Sequence, residues 1–313
     1  MEMVQILVNQ VITMFILAGI GAIMFRTGKI TKAGSVTLAN ILIYLSLPAV
    51  IINGFQLERT AEHLTGLAVS TVAAFLIMLV SILMSRLCFR KDAIATFAGT
   101  FSNPGFFGIP LIVASLRPEA VFYVAPFIAM VNLLQWTYGV HLLTGKEEKK
   151  QSESSGRLAF FKRVVTAPFM VAILIGLFFF LTGIPIPGIA AKCVSFLAGL
   201  NTPVAMYTVG IYLAQTDVVG MFRKGVLYQV SAVRLLLIPI VSFLVLWLFP
   251  ASMLEMKLAL LIAIACPVGS NIAVYAQLYE KDYPYAVETV VISTLFSVLT
   301  IPALTFLAQR LWG

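Results

Sequence analysis

The sequence predicts an all-α integral membrane protein of ten transmembrane helices, arranged as two inverted five-helix repeats in which helices four and nine are broken. Three observations predict it. The first is composition: 60% of the 313 residues are hydrophobic and only 11% are charged, against about 45–50% and about 25% in a soluble domain. The mean hydropathy of +1.00 agrees. The second is a series of ten long runs almost free of charge, and the third is a pair of polar Pro/Gly clusters at matching places in the two halves. This composition excludes an ordinary cytoplasmic enzyme, a disordered chain and a nucleic-acid partner.

A span needs about 20 mostly apolar residues to cross about 30 Å of hydrocarbon. The runs 3–25, 33–57, 64–85, 93–116, 120–145, 164–191, 193–216, 258–279 and 289–309 contain no Asp, Glu, Lys or Arg, and 225–254 is interrupted only by Arg234. Helices are expected because lipid leaves backbone polar groups to bond within their own segment. The alternating segments of about 10 residues that mark a β-barrel do not occur. The start, Met1-Glu2-Met3-Val4, has no basic n-region and no small-residue cleavage site follows, so the first run reads as a retained span.

The most polar stretch, Lys146 to Arg163, divides the chain into a first repeat at 1–145, a linker at 146–163 and a second repeat at 164–313. Five spans on each side of the linker invert the second half relative to the first. Landmarks recur in order. Span two carries Leu45-Ser46-Leu47-Pro48 and span seven Leu200-Asn201-Thr202-Pro203; span four carries Ser102-Asn103-Pro104-Gly105-Phe106-Phe107-Gly108-Ile109-Pro110 and span nine Cys266-Pro267-Val268-Gly269-Ser270-Asn271. Loops assigned alternately to two sides put fifteen of the 21 Lys and Arg on one side and five on the other. The basic side is cytoplasmic, so both termini are expected outside.

Paired Gly/Pro-interrupted spans in corresponding positions point to a transport site. Pro removes an amide hydrogen and clashes with the preceding turn, while Gly permits unwound dihedrals. Each broken span becomes two half-helices, whose N-terminal ends suit an anionic group and whose freed carbonyls suit a cation. Asn103, Pro104, Gly105, Gly108 and Pro110 in span four, with Pro267, Gly269, Ser270 and Asn271 in span nine, are the candidate binding residues. A single Pro in a span is usually only a tolerated kink; two matching polar clusters favour the functional reading.

At these motifs the chain resembles the auxin efflux carrier family, whose members include plant auxin exporters and bacterial permeases for malonate or malate. The resemblance covers essentially the whole chain, and the Asn103-to-Pro110 pattern is its more specific part. It implies that spans four and nine cross near the midplane, and that spans 1, 2, 6 and 7 form a scaffold for a mobile bundle of the other six. It implies dimers through that scaffold, an elevator-like movement, and a substrate-contacting Asn in span five, the position of Asn132. The bile-acid sodium symporter fold is a more distant likeness.

Arg234 falls roughly 15 Å into span eight at 1.5 Å per residue, where a charge costs at least about 2.5–3.5 kcal/mol. A partner must offset that cost, either a substrate anion or the freed carbonyls of a broken helix. Asn132 and Gln135, three apart, share a helix face; contact with substrate and an interhelical hydrogen bond both explain them. Ser46, Asn53 and Tyr44 in span two, with Asn201 and Tyr207 in span seven, are weaker candidates that could line the scaffold side of the cavity or simply join helices. Glu288 and His141 near span ends read as interfacial residues, with a proton relay as the alternative. Cys88, Cys193 and Cys266 read as packing residues, and no catalytic, cofactor or metal constellation stands out: the spans lack paired Asp, Ser/His and His-Glu-x-x-His arrangements. The expected activity is secondary transport of small organic anions, mono- or dicarboxylates, across a bacterial plasma membrane, with H+ or Na+ as coupling ion or the membrane potential alone as driving force. The alternative is a sodium-coupled organic-anion symporter of the bile-acid type. A channel remains an alternative, but the sequence shows no ring-forming repeat of charged residues.

Overall fold

The computed structural model describes residues 2–144 and 165–312. The expected linker, 146–163, lies outside the described residues. Every regular element among the described residues is helical, and the helices follow one another as α1 (Glu2–Arg26), α2 (Lys32–Gly54), α3 (Ala61–Cys88), α4 (Ala93–Thr100), α5 (Pro104–Ser115), α6 (Pro118–Thr144), α7 (Pro168–Thr182), α8 (Gly188–Gln215), α9 (Gly225–Trp247), α10 (Leu254–Ala265), α11 (Asn271–Leu278) and α12 (Tyr283–Trp312). Seven of them, α1, α2, α3, α6, α8, α9 and α12, are long and apolar enough to cross a membrane. Large apolar side chains such as Ile16, Ile23, Phe75, Leu83, Phe178 and Leu244 stand exposed along α1, α3, α7 and α9, as the lipid-facing side of a multi-pass membrane protein requires. Residues 93–116, one charge-free run in the sequence, hold two helices, and so do residues 254–278.

Local sequence sets the ends. Thr31, Thr60 and Asp92 each cap a helix, their side-chain oxygens accepting from Gly34 N, His63 N and Ala95 N; each satisfies one of the orphan amides of the first turn. Wide π-turns interrupt the helices at Leu42–Ser46, Pro104–Gly108, Gln135–Gly139 and Val233–Leu237. Three of the four lie just before a proline, Pro48, Pro110 or Pro239, at the start of the next helical stretch. Proline cannot donate the usual bond and its ring presses on the preceding turn; a wider turn relieves that pressure.

The helices pack as two groups that meet where α1 lies against α5 and α12. α1, α2, α7 and α8 pack on one another, α1 along α8 and α2 against α7 and α8. The remaining helices form the second group, with α3 on α4, α6 and α9, and α10 on α6, α9 and α12. Polar pairs brace this second group at both ends. Tyr285 Oη donates to Asp92 Oδ2 at 3.0 Å, and Lys224 Nζ donates to both carboxylate oxygens of Glu288 at 2.7 Å. At the other end Arg117 grips the Glu255 carboxylate through Nε and Nη2, a bond that raises the guanidinium pKa above its usual value.

Candidate functional site

The site forms where two short non-helical segments meet. After Thr100 the chain leaves helix through Phe101, Ser102 and Asn103; after Ala265 it leaves helix through Cys266 to Ser270. The segments lie antiparallel. Asn103 N donates to Pro267 O at 3.0 Å, Gly269 N donates to Phe101 O at 2.9 Å, and Ser102 pairs with Val268 in an isolated β-bridge. Pairing is the expected solution, because a buried amide or carbonyl outside a helix still needs a partner. Val268 N finds one in Ser293 Oγ at 3.0 Å. Gly269 has to be glycine: a Cβ there would fall 2.9 Å from Ser102 O.

Arg234 anchors the junction from behind. It is fully buried. Its Nη1 donates to Gly99 O at 2.8 Å and Thr100 O at 3.2 Å, and its Nη2 donates to Ile264 O. These carbonyls belong to the last turns of α4 and α10, where intrahelical donors run out and the helix dipole is negative. One cation therefore satisfies two converging helix C-termini.

The opposite ends of the junction are helix N-termini. Asn103 caps α5, its Oδ1 accepting from Phe106 N at 3.3 Å and its main-chain carbonyl accepting from Phe107 N and Gly108 N, both at 3.1 Å. Its Nδ2 reaches across to Ser270 Oγ at 3.4 Å, at the start of α11. Asn271 Nδ2 donates to Gln135 Oε1 at 2.9 Å. The first turns of α5 and α11 thus face each other around a cavity of ≈ 30 Å³. Its walls include Asn103, Pro104, Gly105, Asn132, Gln135, Gly269, Ser270 and Asn271, with Leu47 and Phe106 closing it.

This cavity adjoins a larger one of ≈ 530 Å³ between α2, α6, α7 and α11. Leu47, Phe106, Asn132 and Asn271 line both. A third cavity, ≈ 330 Å³, lies among α1, α2, α5 and α8; Gln10, Asn53, Pro110 and Asn201 are in its wall, and it shares no lining residue with the small one. Among the described residues, no Asp, Glu, Lys, Arg or His lines any of the three.

Seven residues picked out by sequence therefore come together: Asn103, Pro104, Gly105, Asn132, Gly269, Ser270 and Asn271. The others sit around them. Gly108 packs toward Cys266 Sγ, Pro110 lines the third cavity, Pro267 supplies the carbonyl for Asn103 N, and Arg234 lies behind the junction. Ser46 Oγ is buried without a partner in the π-turn beside Leu47. Gln135 and Ser102 belong in the wall as well. Gln135 carried a usable signal, its three-residue offset from Asn132; Ser102 carried none beyond its place beside Asn103.

A family model described as "Membrane transport protein" matches residues 6–305. A "Putative malonate transporter" of Rhizobium meliloti (strain 1021) is 25% identical over 279 residues, covering 87% of this chain and 86% of the relative. An "Uncharacterized transporter" of Methanothermobacter thermautotrophicus (strain Delta H) is 22% identical over 304 residues, 93% of this chain and 95% of the relative. With a match across nearly its whole length, and with the junction built from the motifs that carry the resemblance, the chain belongs to the membrane transport protein family, that of the auxin efflux carriers.

Proposed function

We propose that the protein is a secondary transporter of small organic anions, with a malonate-like carboxylate as its substrate. The observation that carries this reading is the meeting of two helix N-termini, α5 and α11, around one uncharged cavity ringed by the amides of Asn103, Asn132, Gln135 and Asn271. Helix N-termini attract anions through unpaired amides and the dipole. Amide side chains add hydrogen bonds without the strong grip of a fixed cation, which favours release as well as capture. Arg234 contributes indirectly: held by the C-terminal carbonyls of α4 and α10, it keeps both segments in register. On this reading ten helical passes form two inverted repeats, 1–145 and 164–313, in a plasma membrane, with both termini outside, and copies pair through the α1, α2, α7, α8 group.

Purified protein in proteoliposomes tests the proposal. Malonate and malate are offered with an imposed potential, with and without sodium, and with and without a proton gradient. Saturable malonate uptake supports the reading; uptake that needs sodium selects the sodium-coupled alternative. Absence of both transport and thermal stabilisation across a panel of small carboxylates rules out the anion assignment.

A further inference from the structure

We propose that Asn201 is a latch that holds the junction closed toward the ≈ 330 Å³ cavity and so sets which side the site faces. This rests on the transporter reading above. Asn201 lies on α8 in the first helix group and is 2% exposed. Its Nδ2 donates to Gly105 O at 3.2 Å, in the π-turn that opens α5 in the second group. The other side-chain bonds between elements described above, those of Arg234, Asn103, Asn271, Ser293, Tyr285, Lys224 and Arg117, all stay inside the second group. The Asn201 bond joins one group to the other, and it does so at the wall of the site itself.

The surrounding geometry gives the bond a direction. Gly105 is clasped from two sides: a Cβ on it would meet Leu47 Cδ1 at 3.2 Å, and Asn201 holds its carbonyl. Leu47 lines the small and the ≈ 530 Å³ cavities, whereas Asn201 lines the ≈ 330 Å³ one. The Leu47–Gly105–Asn201 contact is therefore the partition between the site and the third cavity. Asn201 Oδ1 is buried with no partner, so the side chain carries an unused acceptor at the surface over which the π-turn would slide. A buried amide left half satisfied is costly, and retaining one here fits a residue that exchanges partners between two states.

Spin-label distances in the apo protein test this without any substrate. Two pairs of labels span the two cavities: Ser195 with Val113 across the third cavity, and Tyr44 with Leu278 across the ≈ 530 Å³ one. Exposed Cys88 and Cys193 are first replaced by Ser, and Cys266 stays because it is buried. Asn201→Ala is expected to shift the population roughly two- to tenfold, the range one neutral hydrogen bond supports, toward longer Ser195–Val113 and shorter Tyr44–Leu278 distances. The isosteric Asn201→Leu is expected to do the same, and Asn201→Ser, which keeps a donor, to shift less. Opposed changes at the two pairs are not produced by a merely loosened fold. Unchanged distances overturn the latch, as does failure of both Asn201→Ala and Asn201→Leu to give folded protein. Neither outcome bears on malonate uptake, and failed uptake leaves this measurement intact.

Discussion

Asn103 and Arg234 occupy opposite faces of one junction, and their chemistry separates them. Asn103 caps α5, bonds to Ser270 and lines the cavity, so on the proposed function its loss removes a ligand contact and loosens the N-terminus that would receive the anion. Arg234 contacts backbone carbonyls only, through three donated bonds. Asn103→Ala is expected to weaken malonate binding about tenfold or more, since a hydrogen bond to a charged group contributes about 1.5–3 kcal/mol, and to lower the melting temperature only modestly. Arg234→Gln is expected to show the reverse, because each buried carbonyl stripped of its donor costs about 1–3 kcal/mol: a large fall in melting temperature and near-normal affinity in the protein that survives. Arg234→Lys restores the charge but not the planar fork that spans two helix ends, so its stability falls between. Affinity and melting temperature measured on the same preparations decide; unchanged affinity in Asn103→Ala removes that side chain from the site, and weakened affinity with normal stability in Arg234→Gln brings the arginine into it.

At the scale of elements, α1 and α8 pack with their backbones close together. A Cβ on Gly210 would fall 1.9 Å from Ala18 O, and one on Gly21 would fall 2.6 Å from the Tyr207 backbone. In lipid, helices associate through such backbone contact between small residues because no hydrophobic gain is available between them. Gly210→Ala must push the helices apart, and overpacking of this kind costs about 1–3 kcal/mol. Gly19, on the same helix as Gly21, has open space where its Cβ would go, so Gly19→Ala is expected to be neutral or slightly stabilising. Thermal unfolding of the two variants in detergent checks the pair; equal melting temperatures would show that the contact carries no weight. Sequence alone made the helical membrane class legible, because missing charge and excess apolar residues report the solvent directly. It also marked Asn103, Ser270 and Asn271, which sit where Pro and Gly spoil the helix locally. It did not separate the two readings of Arg234, whose carbonyl partners are 30, 134 and 135 residues away. It named Asn201 as a weaker candidate but could not supply its partner, since the bond to Gly105 spans 96 residues, and it did not show the π-turns, which depend on how a proline's crowding is relieved in three dimensions.

For the whole molecule the question is which way it faces. Fifteen of the 21 basic residues fall on one set of loops, among them Lys32, Lys149 and Lys281, and five on the other, among them Arg59; basic loops stay in the cytoplasm. The ≈ 530 Å³ cavity is lined by Asn40 on α2, Pro168 at the start of α7 and Leu278 at the end of α11, each near a loop of the basic set. On the proposed topology this conformation opens the candidate site to the cytoplasm, and an organic anion entering from there would leave down the membrane potential, a gain of about 2.3 kcal/mol per charge at 100 mV. Labelling of single cysteines in intact cells tests the orientation on the background lacking Cys88 and Cys193. A membrane-impermeant thiol reagent is expected to modify Arg59→Cys from outside, and to reach Lys149→Cys and Leu278→Cys only after permeabilisation. Modification of Lys149→Cys in intact cells would invert the topology, and with it the direction in which the potential drives the substrate. Because the cavity and the charge bias are independent features of the chain, a result in which Lys149→Cys is protected but Leu278→Cys is labelled from outside would keep the topology and instead show that cells hold the transporter open to the exterior.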